Sequence, residues 1–276
     1  MKKPETADKE FLLPNVRVRS GPAGGSGTVI YSQPANKGGH STYILTNEHV
    51  VCNSIEQKTR WSSLLHRDVK DDVRSAVEVE FFKFAYESRA VGSTAIKADI
   101  VAYDKDEDIA LLKLQDLDPA AAVAKLYPKD TERELRLLCP LITIGCGLGE
   151  PPVLTAGLLS QFGRLIENRE YWLSTAPTIF GNSGGAVYLA NTRQLIGIPA
   201  RMPVLLMGLG ADCITHLSWL VPITRVYKFL EAQKYRFIYA EGFTEESEEA
   251  ERERIRTEEE LRIAARERLG QRELGK

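Results

Sequence analysis

Short apolar runs rich in β-branched and aromatic residues, separated by glycine, proline and polar turns, make up most of the chain. Runs of this kind predict β-strands. The predicted strands are 27–32, 42–46, 77–86, 98–104, 109–114, 141–145, 153–163, 171–175, 185–190, 195–200 and 217–223. Because no helical patterns alternate with these runs, the sequence is typical of an all-β barrel or sandwich.

One helix is predicted directly after the last strand. Residues 222–234 place Val226, Phe229 and Leu230 on one face, so we expect this helix to pack against the strands. A polar segment, 56–76, interrupts the strand pattern, and its composition favours a long surface loop or a short helix over a core strand.

A second helix is predicted for the C-terminal tail, residues 244–276. Glu residues crowd its start and Arg residues its end, an order that suits the helix dipole. Its apolar stripe is narrow and consists of Leu261, Ala265 and Leu269. Two interpretations follow: a solvated helix, or a helix that binds a protein partner or a second copy of the chain.

Charge and composition narrow the classes of function. The chain has 276 residues, 43% of them hydrophobic, and a formal net charge of −2. Nucleic-acid binding usually needs a basic surface, so we expect no nucleic-acid partner. The basic start is followed by no apolar run of signal-peptide length, and no stretch approaches the roughly 20 apolar residues of a membrane helix. We therefore expect a soluble cytoplasmic protein that does not bind membranes.

The four cysteines support the same expectation. Cys52, Cys139, Cys146 and Cys213 have neither CxxC spacing nor histidines at zinc-ligand spacing, so we expect structural thiols, no metal and no cofactor. The Asp104–Asp106–Asp108 alternation resembles the start of a calcium loop. The glycine and glutamate that an EF-hand requires further on are missing.

The chemistry-bearing candidate is the glycine-rich segment Gly181-Asn182-Ser183-Gly184-Gly185. A serine hydroxyl becomes a nucleophile only when a base, usually histidine, accepts its proton. Backbone N–H groups in a glycine turn can stabilise the oxyanion that forms. Alone this motif is weak, because many tight turns contain serine between glycines for steric reasons.

Partners for Ser183 come from two other segments. Among His40, His49, His66 and His216, His49 ends an apolar strand in TNEHVV. Asp108 directly precedes the apolar run IALLKL, where a carboxylate needs a partner. A histidine in such a place is usually structural. Taken alone, therefore, each of these two residues can be read as structural or as catalytic.

Taken together, TNEHVV, DIALLKL and GNSGGAVY, in this order, resemble the chymotrypsin-fold serine peptidases, most of all the HtrA/DegP-type branch. Residues 142–164 resemble the strand, glycine turn and strand that lead into the second barrel of that branch. The similarity covers about 16–230. It implies an all-β fold of two six-stranded antiparallel β-barrels, at about 16–125 and 136–224. The peptidase domain would span 16–236, after an extension at 1–15, with the charged helical tail behind it.

The resemblance also implies a mechanism and a substrate. Ser183 would attack a peptide carbonyl in a protein or peptide, His49 would transfer its proton, and Asp108 would orient His49. The N–H groups of Gly181 and Ser183 would form the oxyanion hole. The substrate-binding residues by this resemblance are Pro177, Ala200, Arg201 and Trp219.

Departures from the family modify these expectations. Trypsin has an aspartate before the serine, which pairs with a new N-terminus after zymogen cleavage; Asn182 cannot form that ion pair, so we expect no zymogen step. Pro177 stands where a basic-specific enzyme carries aspartate, so we expect small or aliphatic residues before the cut. We expect neither the signal peptide nor the C-terminal PDZ domain that are usual in the HtrA-type branch.

Rival functions fit the residues less well. Gly181-x-Ser183-x-Gly185 also matches the nucleophile elbow of α/β-hydrolases, but a strand pattern follows the serine where that fold needs a helix. The glycine segments 21–27 and 145–149 lead into strands or prolines, not into the helix N-terminus of a phosphate-binding loop. The remaining alternative is a catalytically latent trypsin-fold protein whose charged tail recruits a partner.

Overall fold

The computed structural model describes residues 8–36, 38–62, 67–86, 88–207 and 210–274. The strands of the N-terminal half are β1 (Asn15–Ser20), β2 (Ala23–Pro34), β3 (His40–Thr46), β4 (Ile55–Ser62), β5 (Arg67–Arg74), β6 (Val77–Tyr86), β7 (Arg89–Asp104) and β8 (Ile109–Leu114). Those that follow are β9 (Lys125–Leu126), β10 (Pro140–Gly145), β11 (Val153–Ile166), β12 (Arg169–Ser174), β13 (Ala186–Leu189), β14 (Gln194–Arg201), β15 (Val204–Met207), β16 (Gly210–Cys213) and β17 (Ser218–Pro222). The α-helices are α1 (Glu48–Val51), α2 (Ile223–Ala232) and α3 (Glu245–Leu274).

The first barrel closes in the order β1-β2-β3-β8-β7-β6, and each neighbouring pair is antiparallel. Alternate apolar positions fill its interior, as the period of a strand requires. Buried residues there include Val16, Val18, Val29, Ile44, Val79 and Leu112. Gly27 in β2 has no room for a side chain, because a Cβ would come within 2.7 Å of Ile44 and 2.9 Å of Val18.

The second barrel is built from β13-β10-β11-β12-β17-β14, and a further β13–β14 pairing closes the ring. Strand β9 adds to β14 in a short parallel pairing at the edge. Leu141, Ile144, Leu159, Val187 and Leu220 lie buried in this sheet. The prediction of an all-β, chymotrypsin-like fold with two barrels and a C-terminal helix is confirmed.

Strand β1 was not predicted, although its signal is present. Val16 and Val18 are buried, whereas Arg17 and Arg19 between and after them face outward to Glu80 and Glu78 on β6. The alternation of buried and exposed positions in β1 is short. Its two arginines make the segment look polar, so its composition did not indicate a strand although its period of two does.

Segment 56–76 is neither a surface loop nor a short helix, and that prediction is wrong. Within it, strands β4 and β5 pair antiparallel, with Ile55 opposite Arg74 and Trp61 opposite Asp68. Cross-strand pairing satisfies the backbone groups of a hairpin even where the side chains are mostly polar, which explains why hydrophobicity did not reveal it. Residues 63–66 lie outside the described part of the chain.

By its internal contacts the chain divides into two units. One comprises Met1–Ser54 and Ser75–Phe229, which contain both barrels, and the other comprises Ile55–Arg74 and Leu230–Lys276. In the second unit α3 begins with a reciprocal cap, because the N–H of Ser247 donates to Thr244 Oγ1 and the N–H of Thr244 donates to Ser247 Oγ. The predicted tail helix is confirmed. Among the described residues, the helices lack the apolar length that a membrane-spanning segment needs.

Candidate active site

His49 lies in α1, the single helical turn that follows β3, and its side chain is 45% exposed. Its Nδ1 lies 2.8 Å from Oδ1 and 2.9 Å from Oδ2 of Asp108, and its backbone N–H donates to Oδ1 at 3.1 Å. Because an ionised carboxylate only accepts hydrogen bonds, the Nδ1 atom carries the proton in this contact. The Nε2 atom of the neutral ring is then an acceptor.

Asp108 is held in an unusual backbone conformation. Its φ is +54°, in the left-handed region that non-glycine residues rarely adopt, and the residue is 8% exposed. The buried Asn47 donates through Nδ2 to the Asp108 carbonyl at 2.7 Å. Strained residues of this kind persist only where surrounding contacts define them.

The loop that carries Ser183 packs against the strand end that precedes His49. A Cβ on Gly184 would lie 2.2 Å from both Thr46 Oγ1 and the Ser26 carbonyl, so only glycine fits. The Ser183 carbonyl accepts a hydrogen bond from the N–H of Ser26 at 2.8 Å. The loop of Ser183 thereby lies against the end of β3, and among the described residues no hydrogen bond joins Ser183 Oγ to the His49 ring.

Two backbone N–H groups in this loop are oriented away from the protein's own acceptors. The Phe180 carbonyl accepts from the N–H of Leu148 at 2.7 Å, and the Asn182 carbonyl accepts from the N–H of Gly185 at 3.0 Å. In a trans peptide the N–H points opposite to the carbonyl, so the N–H groups of Gly181 and Ser183 point away from those contacts. In the part of the chain that the structure describes, neither N–H donates to another group.

Asn182 has its side chain buried under the same loop. Its Oδ1 accepts from the N–H of Ile179 at 3.3 Å, and the glycines of the 145–147 turn leave room for it. A neutral amide therefore stabilises the loop without a cationic partner.

Ser26 is a residue that sequence analysis missed. It is fully buried, and its Oγ donates to the Gly181 carbonyl and accepts from the N–H of Cys146, each at 2.7 Å. Its carbonyl accepts from Thr46 Oγ1 at 2.7 Å. One serine of the first barrel thus contacts the loop of Ser183, the glycine turn of the second barrel and the strand that leads to His49. The glycines on either side of it are the only local signal.

Two cavities flank the 179–183 loop. The smaller, about 20 Å³, is lined by Ala200 and Arg201, two of the four residues expected to bind substrate, and by Thr178 and Ser218, which that expectation did not include; Ile179, Asn182, Ser183, Pro199 and Met202 complete it. Pro177 and Trp219 are not among its lining residues. The Pro177 carbonyl instead accepts from Thr155 Oγ1, and Trp219 pairs with Leu173 across β17 and β12.

The larger cavity, about 570 Å³, lies on the side of the β1–β2 turn. Arg17, Arg19, Gly25, Leu148, Phe180 and Gly181 are among its lining residues. The loop of Ser183 therefore lies between a small cavity and a wide one.

Two ionisable groups around the site have raised pKa values. Burial, together with the Asp108 carboxylate, raises the pKa of Glu48, the buried residue next to His49. Burial also raises the pKa of the Cys146 thiol to about 12, which keeps this thiol protonated and unreactive at neutral pH. Of the other histidines, His40 begins β3, His216 lies in the turn before β17, and His66 falls outside the described residues.

Comparison with known proteins gives one family match and several similar solved structures. Residues 25–198 match the sequence profile of the family described as "Trypsin-like peptidase domain". Among solved structures, the chain is similar to the Rv3671c protease in an inactive form, with 17% identity, a TM-score of 0.54, and 82% of this chain and 91% of that chain covered. No curated protein matches the chain.

The HtrA-type protease AlgW, solved with a tripeptide, is also similar. The identity is 20% and the TM-score 0.57, and the match covers 82% of this chain but only 62% of that chain. At these identities the two solved structures share the fold with this chain, and the family profile, which spans most of the chain, is the stronger finding.

Proposed function

Because this chain belongs to the trypsin-like peptidase domain family, we propose that it is a serine endopeptidase with Ser183 as nucleophile, His49 as general base and Asp108 as the residue that orients His49. The observation that carries the proposal is the contact of His49 Nδ1 with both carboxylate oxygens of Asp108, at 2.8 and 2.9 Å. That contact fixes the tautomer in which Nε2 accepts a proton.

In the first half of the reaction, Ser183 Oγ attacks the carbonyl carbon of the peptide bond while its proton passes to His49 Nε2. The carbonyl oxygen becomes an oxyanion, which the N–H groups of Gly181 and Ser183 stabilise; one such donor contributes about 10²–10³-fold to turnover. The tetrahedral intermediate collapses when the carbon–nitrogen bond breaks and the imidazolium gives its proton to the leaving amine. An ester between the acyl group and Ser183 remains.

In the second half, water attacks the ester and His49 accepts the water's proton. The intermediate collapses with the Ser183 oxygen as leaving group, and His49 returns the proton to it. Asp108 keeps its charge throughout and stabilises the imidazolium. Because the Ile179 N–H already satisfies the neutral Asn182, the loop of Ser183 needs no N-terminal ammonium, and we propose that no zymogen cleavage precedes activity.

Reaction with a fluorophosphonate, followed by intact mass measurement, tests the proposal. Wild type is expected to gain one adduct, Ser183→Ala none, and His49→Gln to react at least about 10³-fold more slowly, because the base is lost. Ser75→Ala, a change at an exposed serine, is the matched control and is expected to react like wild type.

Absence of an adduct on correctly folded wild type would overturn the peptidase proposal. The alternative would then be the latent, trypsin-fold interaction protein, and the charged tail would become the first surface to test for a partner.

A further inference from the structure

We propose that Arg225 of helix α2 is a positioning residue that holds the Asp108 loop in the geometry that His49 requires. This inference rests on the proposed function for its catalytic meaning. Arg225 is distant from Asp108 in sequence, and its side chain is only 7% exposed. Burial of a guanidinium costs free energy unless acceptors pair with its N–H donors. The acceptors that Arg225 contacts therefore show which segments it positions.

The guanidinium donates two hydrogen bonds to Glu107, the residue before Asp108. Its Nε donates to Glu107 Oε2 at 2.5 Å, and its Nη2 donates to the Glu107 carbonyl at 2.6 Å. That carbonyl belongs to the peptide bond whose nitrogen is that of Asp108. The hydrogen bond therefore fixes the peptide plane on the N-terminal side of Asp108.

The peptide plane on the other side of Asp108 is fixed as well. Its carbonyl accepts from Asn47 Nδ2 at 2.7 Å. With one plane held by Arg225 and the next by Asn47, the left-handed φ of +54° is determined from both directions. Without Arg225 the strained residue can relax, and the carboxylate would leave the His49 ring.

The same guanidinium also contacts strand β12 of the second barrel. Nη1 donates to the Glu170 carbonyl at 3.0 Å, and the guanidinium carbon lies 4.9 Å from the ring centre of Tyr171. Strand β12 contributes a second contact to the same loop, since Arg169 Nη2 lies 3.3 Å from Asp106 Oδ2. The Asp108 loop of the first barrel is therefore located by α2 and β12, which belong to the part of the chain after residue 168.

Only the planar fork of arginine fits this set of acceptors. Arginine offers five N–H donors in fixed directions, whereas lysine is a point charge on a flexible stem. Lysine at this position would keep the charge but lose the simultaneous contacts to Glu107 and Glu170. This difference separates a role in positioning from a role of the charge alone.

The experiment compares wild type with Arg225→Met, Arg225→Lys and, as control, Arg193→Met, which removes another ion-paired arginine. Activity is measured as kcat and KM on a peptide substrate, normalised to fluorophosphonate-titrated sites. For Arg225→Met we expect kcat to fall about 10²-fold with KM nearly unchanged, because a displacement of about 1 Å costs this much. Arg225→Lys should recover only part of the loss, and Arg193→Met should match wild type.

A second measurement does not depend on turnover. The low-field proton resonance of His49 Nδ1–H, assigned with His49→Gln, reports the hydrogen bond to Asp108. It should be present in wild type and Arg193→Met, weakened in Arg225→Lys and lost in Arg225→Met. If wild type shows this resonance and Arg225→Met loses it while neither cleaves peptides, the positioning role stands and the peptidase proposal fails.

The inference is overturned if folded Arg225→Met keeps both the resonance and the wild-type kcat. If Arg225→Met does not fold, Arg225→Lys decides, because wild-type kcat and an unchanged resonance in that variant would equally contradict a role for the guanidinium fork.

Discussion

At the residue scale, the proposed function would make the small cavity beside Ser183 the space for the substrate side chain before the cut. At about 20 Å³ it has room for little more than one water molecule. Two hydroxyls of its lining residues, Thr178 Oγ1 and Ser218 Oγ, are buried and have no hydrogen-bond partner among the described residues. A small side chain, apolar or with a hydroxyl, suits this space better than a large one.

We therefore expect kcat/KM for peptides with alanine or serine before the cut to exceed that for phenylalanine or lysine by at least about 10-fold, because a larger side chain must displace the cavity wall. A series of peptides that differ only at this position measures the ratio. As a control, the same series with the change placed several residues away should show similar rates. Equal rates for alanine and phenylalanine before the cut would contradict the prediction.

At the element scale, the first turns of α3 are attached to the chain before them by charged groups. Glu248, 2% exposed at its side chain, accepts from the backbone N–H of Arg236 at 2.9 Å and from its Nη2 at 2.6 Å. Arg252 lies over the ring of Tyr235 at 4.2 Å. The rest of α3 presents exposed Glu–Arg pairs such as Glu258–Arg254, each of which contributes little to stability.

Acidification should loosen this attachment. Burial alone would raise the pKa of Glu248, but the hydrogen bonds from Arg236 outweigh burial and hold the pKa below its ordinary value of 4.5. For a lowered carboxyl pKa the stabilisation is complete above the unfolded pKa and is lost as pH falls through the folded pKa. The amide protection factors of residues 245–252 in wild type should therefore decrease as the pH drops below about 4.5.

Glu248→Gln should show the weakened protection already at neutral pH and no further fall on acidification. Glu258→Gln, which removes an exposed carboxylate from the same helix, is the control and should behave like wild type. Protection at 245–252 that stays constant from neutral pH to about pH 3 in wild type would refute this account.

At the scale of the whole peptidase domain, Ser26 joins the two barrels at the proposed active site. Its Oγ contacts Gly181 and Cys146 of the second barrel, while its backbone belongs to β2 of the first.

Ser26→Ala should lower the free energy of unfolding by about 1–3 kcal/mol, because it leaves a buried N–H and a carbonyl without their partner. It should also slow fluorophosphonate labelling, since the Gly181 peptide is no longer held. Urea unfolding and labelling rates measure the two effects. Ser32→Ala, on the same strand and bonded to Thr42, should lose stability without loss of labelling; equal labelling rates in both variants would contradict the role of Ser26.

Much of the fold could be predicted from the sequence, because strand and helix signals are local. Strand β8 occupies the predicted residues 109–114, and α2 and α3 lie within or around the predicted helices. Each depends on the periodicity or capping of neighbouring residues, which the chain displays in order. The segments of His49, Asp108 and Ser183 could be selected for the same reason: each has a recognisable local context.

Only the tertiary structure decided which distant groups meet. Local sequence patterns did not reveal the pairing of β4 with β5, because their side chains are mostly polar. Nor did they reveal the contacts of Ser26 with Gly181 or of Arg225 with Glu107, because these depend on barrel closure and on the register of strands far apart in sequence. The same is true of the small cavity, which includes Ser218 but not Pro177 or Trp219. A sequence determines what each segment tends to form, whereas the packing of segments determines which side chains share a site.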